Sequence, residues 1–174
     1  DMSVGQSRLE NAAEAARVAQ DRALELRIAN RRAEILFAAG DIEKADQFSE
    51  TAMELVEMAD ASIADKCHII GVRLRCLSLA GRIDEARKLH ENSAAIAGQC
   101  PVVQRQSYLS GVAFLAVLGG EPELGIPEME RAIEETRAIK LPRLLLTPLH
   151  NLGDLKLRSG DLEGAEQAFR ETIR

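Results

Sequence analysis

The chain has 174 residues, enough to enclose a sizeable apolar interior, with 46% hydrophobic and 29% charged side chains, a balance that excludes a disordered polymer. Its net charge of -6 argues against a phosphate backbone as partner, because binding one requires clustered lysine and arginine. Aromatic residues make up only 3%, so aliphatic side chains and alanine must fill the interior, and the Ala-, Leu-, Glu- and Arg-rich composition favours helix.

The chain opens Asp1-Met2-Ser3-Val4 with no apolar run behind it, which predicts no signal peptide. Residues 7–19 then place Leu9, Ala12, Ala13 and Ala16 on one face of a helix. Beyond them four segments resemble one another. They are Gly40-Asp41-Ile42-Glu43-Lys44-Ala45, Gly81-Arg82-Ile83-Asp84-Glu85-Ala86, Gly120-Glu121-Pro122-Glu123-Leu124-Gly125 and Gly160-Asp161-Leu162-Glu163-Gly164-Ala165. Their glycines stand 41, 39 and 40 residues apart, room for two helices of about four turns and two connections.

Each part of the motif has a physical role. The glycine ends a first helix in a left-handed turn. The acidic residue after it suits the positive start of a second helix. The small residue five positions on (Ala45, Ala86, Gly125, Ala165) lets the second helix lie close to the first. Apolar residues recur in step. Ile35, Cys76, Leu115 and Leu155 fall five before the glycine, and Ala29, Ile70, Leu109 and Leu149 eleven before it. Met53, Ala94, Ile133 and Ile173 fall thirteen after it.

The expected fold is therefore an all-α, right-handed α-solenoid of helix-turn-helix repeats with about nine helices. Residues 1–20 form the second helix of a truncated unit, residues 21–60, 61–99 and 100–140 three full units, and residues 141–174 a last, truncated one. Connections fall near Asp60, Cys100 and Lys140. Pro101 and Pro122 stand where helices should begin, Pro127 lies early in a second helix, and Pro148 predicts a kink or late start.

Catalytic constellations are not visible. His68, His90 and His150 fall in three different units without a two-histidine helical spacing, so no metal and no cofactor is expected. Cys67 adjoins His68, but neighbouring helix residues point apart, and a partly buried thiol is the plainer reading. Cys67, Cys76 and Cys100 are an odd count without metal-type spacing, which predicts a reducing, cytoplasmic setting. The longest apolar stretch, residues 112–118, is too short to span a membrane.

The repeat resembles the tetratricopeptide family over essentially the whole chain. The last copy carries it most fully, with Leu149, Leu152-Gly153, Gly160, Ala165 and Phe169. The copy around Gly40 keeps Ala33, Ala45 and Ala52, that around Gly81 keeps Ala86, and that around Gly120 keeps Ala113, Gly125 and Ala132. The period exceeds the family's usual length of about thirty-four residues. Longer, aromatic-poor copies are similar to helical repeat regions of bacterial LuxR-like and maltose-activator-like regulators and of adenylate cyclases. HEAT and armadillo repeats share the period but lack the pairing of turn glycine and small residue.

The resemblance implies a non-catalytic interaction scaffold or sensor, holding a protein or peptide in a concave groove lined by first helices. Helical spacing puts Arg27, Asn30, Glu34 and Phe37 on that face. It also puts there His68, Arg75 and Ser78; Ser107, Ser110, Phe114 and Val117; and Thr147, His150, Asn151, Asp154 and Arg158. Phe37 and Phe114 are expected anchors for an apolar partner side chain. The alternative is an oligomerisation or intramolecular regulatory element packing on an NTPase, cyclase or DNA-binding module of the same protein.

Overall fold

A computed structural model describes the backbone of residues 2–173 and the side chains of residues 8–173; Asp1 and Arg174, at the edges of the expected first and last units, lie outside it. The described chain is all helical. In order come α1 (Met2–Val18), α2 (Arg22–Ala38), α3 (Ile42–Met58), α4 (Ile63–Leu79) and α5 (Ile83–Gln99). They are followed by α6 (Gln106–Leu118), α7 (Pro122–Ala138), a 3-10 turn (Pro142–Leu145), α8 (Leu146–Ser159) and α9 (Leu162–Thr172).

The four glycines set the bends. Gly40, Gly81, Gly120 and Gly160 have φ of +81°, +76°, +72° and +87°, where a side chain is strained. The following amide reaches back five residues each time: Asp41 to Leu36, Arg82 to Leu77, Glu121 to Ala116 and Asp161 to Lys156, at 2.9–3.0 Å. These bonds satisfy carbonyls that a helix end would otherwise leave free. The Asp41 and Asp161 carboxylates then cap the next helix by accepting from the Lys44 and Gly164 amides. Three of the four turns between units place Gln20, Asp60 and Lys140 at φ near +50° instead, and the longer α5–α6 connection has no such residue.

The small residues after the bends are fully enclosed. Ala45 and Ala86 have no exposed surface and Ala165 is 2% exposed. A methyl on Gly125 would meet Ala116 Cβ at 3.1 Å and Leu155 Cδ1 at 2.8 Å. Farther along the second helices, Ile133 is buried and Met53 packs against the core as expected, but the register needs correction in the other two units. Thirteen residues past the glycine, Ala94 and Ile173 are exposed; the enclosed position is one earlier, at Ala52, Ser93 and Ala132. A small residue sits there because the second helix still lies against its neighbours at that level.

One proline expectation also changes. Pro101 does not begin a helix: it opens a turn that accepts the Gln104 and Arg105 amides, and α6 starts five residues later with Arg105 at its cap. Around Pro148 the late start is what is found. The helix begins at Leu146 after the 3-10 turn, so Pro148 lies in the first turn, where an amide has no helical partner to lose. Pro122 is the first residue of α7, as expected, and α7 continues through Pro127.

First helices pack in series, α2 on α4, α4 on α6 and α6 on α8. Each of α3, α5 and α7 packs on the first helix of its own unit and on that of the next, while among the described residues second helices meet one another little, as in the Arg137–Glu171 ion pair of α7 and α9. Helices in mutual contact define the inner layer, and those held apart the outer one. The apolar clusters straddle units accordingly: Leu74 and Leu77 of α4 share one with Tyr108 and Leu115 of α6, and Ala116 of α6 shares another with Leu152 and Leu155 of α8. No unit could bury its apolar face alone, which is the physical condition for a solenoid-like array.

Candidate functional site

The inner layer presents three successive first helices, α2, α4 and α6, and six of the expected face residues converge there. His68 Nε2 lies 3.0 Å from Glu34 Oε1, and Arg31 Nη1 lies 3.3 Å from Glu34 Oε2. The contact with His68, reinforced by Arg31, holds the half-buried Glu34 carboxyl below its ordinary range. The Arg75 guanidinium carbon stands 5.1 Å from the centre of the Phe37 ring. Arg75 Nη2 donates to Ser107 Oγ at 3.5 Å, and Ser107 Oγ donates to the His68 carbonyl at 3.2 Å.

Phe37 and Phe114 are not two separate anchors. Their rings meet edge to face, with centroids 5.8 Å apart and planes at 68°, so each covers part of the other. The contact spans α2 and α6 across α4. Together the rings form one half-buried aromatic ridge beside Arg75.

The other face residues are not joined to this group. Arg27 is exposed, and Asn30 is buried with Oδ1 lacking a partner among the described residues. The Ser78 hydroxyl is buried and donates to the Leu74 carbonyl, and Ser110 donates to Gln106 in the same way. Val117 packs into the interior between α6 and α8. On α8, Thr147, His150 and Arg158 are exposed and Asn151 is half-buried; His150 lies 4.0 Å from Asp154 and 5.9 Å from the Phe169 ring. These make a second, looser group one unit away.

Charge is divided between the layers. α2, α4, α6 and α8 hold nine basic and four acidic residues, whereas α1, α3, α5, α7 and α9 hold eight basic and eighteen acidic ones. A net +5 inside and -10 outside means that the acidity of the whole chain conceals a basic inner layer.

Sequence reasoning missed two buried arginines that tie units together. Arg73 Nη1 donates to Asp46 Oδ1 at 2.6 Å and to Ser49 Oγ at 2.9 Å, and Asp46 also binds Arg82 at 2.6 Å. Arg105, 2% exposed, reaches Glu135 at 2.6 Å and the carbonyls of Ala97 and Cys100. A basic residue on the apolar stripe of α4, between Ile70 and Leu77, was a legible sign for Arg73. Nothing local marks Arg105, whose acidic partner lies thirty residues away. Likewise the His90 Nδ1–Tyr108 Oη contact, 2.8 Å, joins α5 to α6.

The fold and this face define a helical-repeat protein with a mixed, partly aromatic inner surface. No family model, no curated protein and no solved structure matches the chain. Among the described residues no helix is long and apolar enough to cross a membrane.

Proposed function

We propose that the chain is a tetratricopeptide-like interaction module whose inner face holds a segment of another protein, within a cytoplasmic signalling or transcription-regulatory protein. It has no catalytic role. One observation carries this reading: Phe37, Phe114, Arg75, Glu34 and His68, drawn from three separate units, form a single surface offering aromatic area beside charges of both signs. Interior packing alone would be served by aliphatic residues there; a ridge of half-exposed rings flanked by charge suits recognition.

Selection of a random peptide library on the intact chain tests it. Bound peptides should lose affinity when Phe114→Ala and Arg75→Glu are combined, while circular dichroism shows the helical fold retained. Peptides that bind the double variant as tightly would place recognition elsewhere.

A second reading, docking of a neighbouring module or a second copy, draws on the last unit, where Leu146, Leu157 and Leu162 are 52%, 50% and 66% exposed. Light scattering across a concentration series separates the two: mass independent of concentration rules out the second copy.

A further inference from the structure

Three arginines sit in or immediately before the inner helices α4 and α6 with much of their surface withdrawn from water, and two have carboxylates. Arg73 is paired with Asp46 at 2.6 Å and Glu50 at 3.6 Å, and Arg105 with Glu135 at 2.6 Å. Arg75 has none within ion-pairing distance among the described residues, in a chain with 28 acidic side chains. Its Nε is buried and lacks an acceptor among those residues, and its one hydrogen bond, to Ser107, is long at 3.5 Å. Burial works against its charge, and the nearest acidic influence is Glu34, whose two oxygens already face His68 and Arg31. A desolvated guanidinium without a counter-ion is costly, and chains rarely keep one without a use for it.

The side chain is nonetheless held in place. The Phe37 ring stacks on the guanidinium, Ser107 fixes one end, and Phe114 stands against Phe37. A planar fork so held matches a carboxylate, which takes two parallel N–H bonds, and the adjoining rings accept the apolar residue next to it in sequence. The single positive charge, with Glu34 close by, favours a monoanion over a phosphate.

Resting on the peptide-binding reading above, we infer that Arg75 is the carboxylate receptor of the inner face: it pairs with an aspartate or glutamate side chain of the partner segment, and an apolar neighbour of that acid lies on the Phe37–Phe114 ridge.

The test uses the full chain and two probes, the capped peptides acetyl-Phe-Asp-Leu-amide and acetyl-Phe-Asn-Leu-amide. Nuclear magnetic resonance follows the Arg75 Nε–Hε signal, identified by its loss in Arg75→Gln, and the Phe114 ring signals. The acidic probe is expected to move both and to bind about tenfold more tightly than its amide counterpart. That preference should vanish in Arg75→Gln and survive in Arg170→Gln, on the outer helix α9, with both variants keeping the parent circular dichroism spectrum. Equal affinity for the two probes overturns the carboxylate role but leaves peptide binding at this face standing. A preference that survives Arg75→Gln, or no shift at Arg75 with either probe, also overturns it. If instead the library peptides ignore the inner face, the broader reading fails on its own experiment.

Discussion

Gly71 of α4 and Gly111 of α6 face each other where the two helices cross. A methyl on Gly111 would lie 2.7 Å from the Gly71 carbonyl oxygen, and one on Gly71 would run into the backbone of Ser107 and Tyr108. This close approach brings Arg75 and Ser107 within reach of each other and carries Phe114 toward Phe37. The surface proposed for recognition thus depends on two residues that have no side chain.

Gly71→Ala should therefore cost about 2–4 kcal/mol in urea unfolding, because backbone on both sides cannot yield as a rotamer would. Gly98→Ala, also helical but with open space around the new methyl, should gain about 0.5–1 kcal/mol from helix propensity. Equal effects of opposite expectation, or a tolerated Gly71→Ala, would mean the crossing is looser than described.

Arg105→Met should destabilise the chain by about 3 kcal/mol. It removes the buried donor from the Cys100 carbonyl, leaves the Ala97 carbonyl with the Cys100 amide alone, and leaves Glu135 with only the longer contact to Arg131 at 3.8 Å. Glu135 is 40% exposed and can regain water, so most of the loss comes from the carbonyls at the end of α5. Chemical denaturation of the single variants and the Arg105→Met/Glu135→Gln pair measures the coupling.

Acid titration should reveal Glu34. Its carboxyl is held below the ordinary value of 4.5 by His68 and Arg31, so the folded state keeps it ionised more readily than the unfolded one. That contribution is present above pH 4.5 and is lost as pH falls through the lower folded-state value. Stability of Glu34→Gln should accordingly fall less steeply with acid in that window, as read from thermal midpoints at successive pH values.

The three thiols should be inert in the native chain. Cys67, Cys76 and Cys100 are at most 2% exposed, and burial, with Cys100 alongside, pushes the Cys67 thiol up to about 12. An aromatic disulfide reagent at pH 8 should label them only at the rate of unfolding, rising together with urea. Rapid labelling of one thiol in the absence of denaturant would show local opening of its helix.

The order of bends and helices was readable because it is local. A glycine followed by an acidic cap and a small residue dictates a left-handed turn and a new helix whatever lies around it, and four copies in step leave little choice of architecture. Pro101 misled the reading because proline favours turns as well as helix starts, and packing against α5 decided for the turn. The exposed Ala94 marks where spacing alone slipped by one residue, since alanine serves equally well inside or outside.

Residue types and helical faces also placed Glu34, Phe37, His68, Arg75 and Phe114 on one side of their helices. What they do to one another was decided only in three dimensions. Whether Phe37 reaches Phe114, whether Arg75 finds a carboxylate, and whether Arg105 meets Glu135 depend on how steeply each first helix crosses the next. That angle is set by side chains and glycines of two units at once, so no single stretch of sequence contains it.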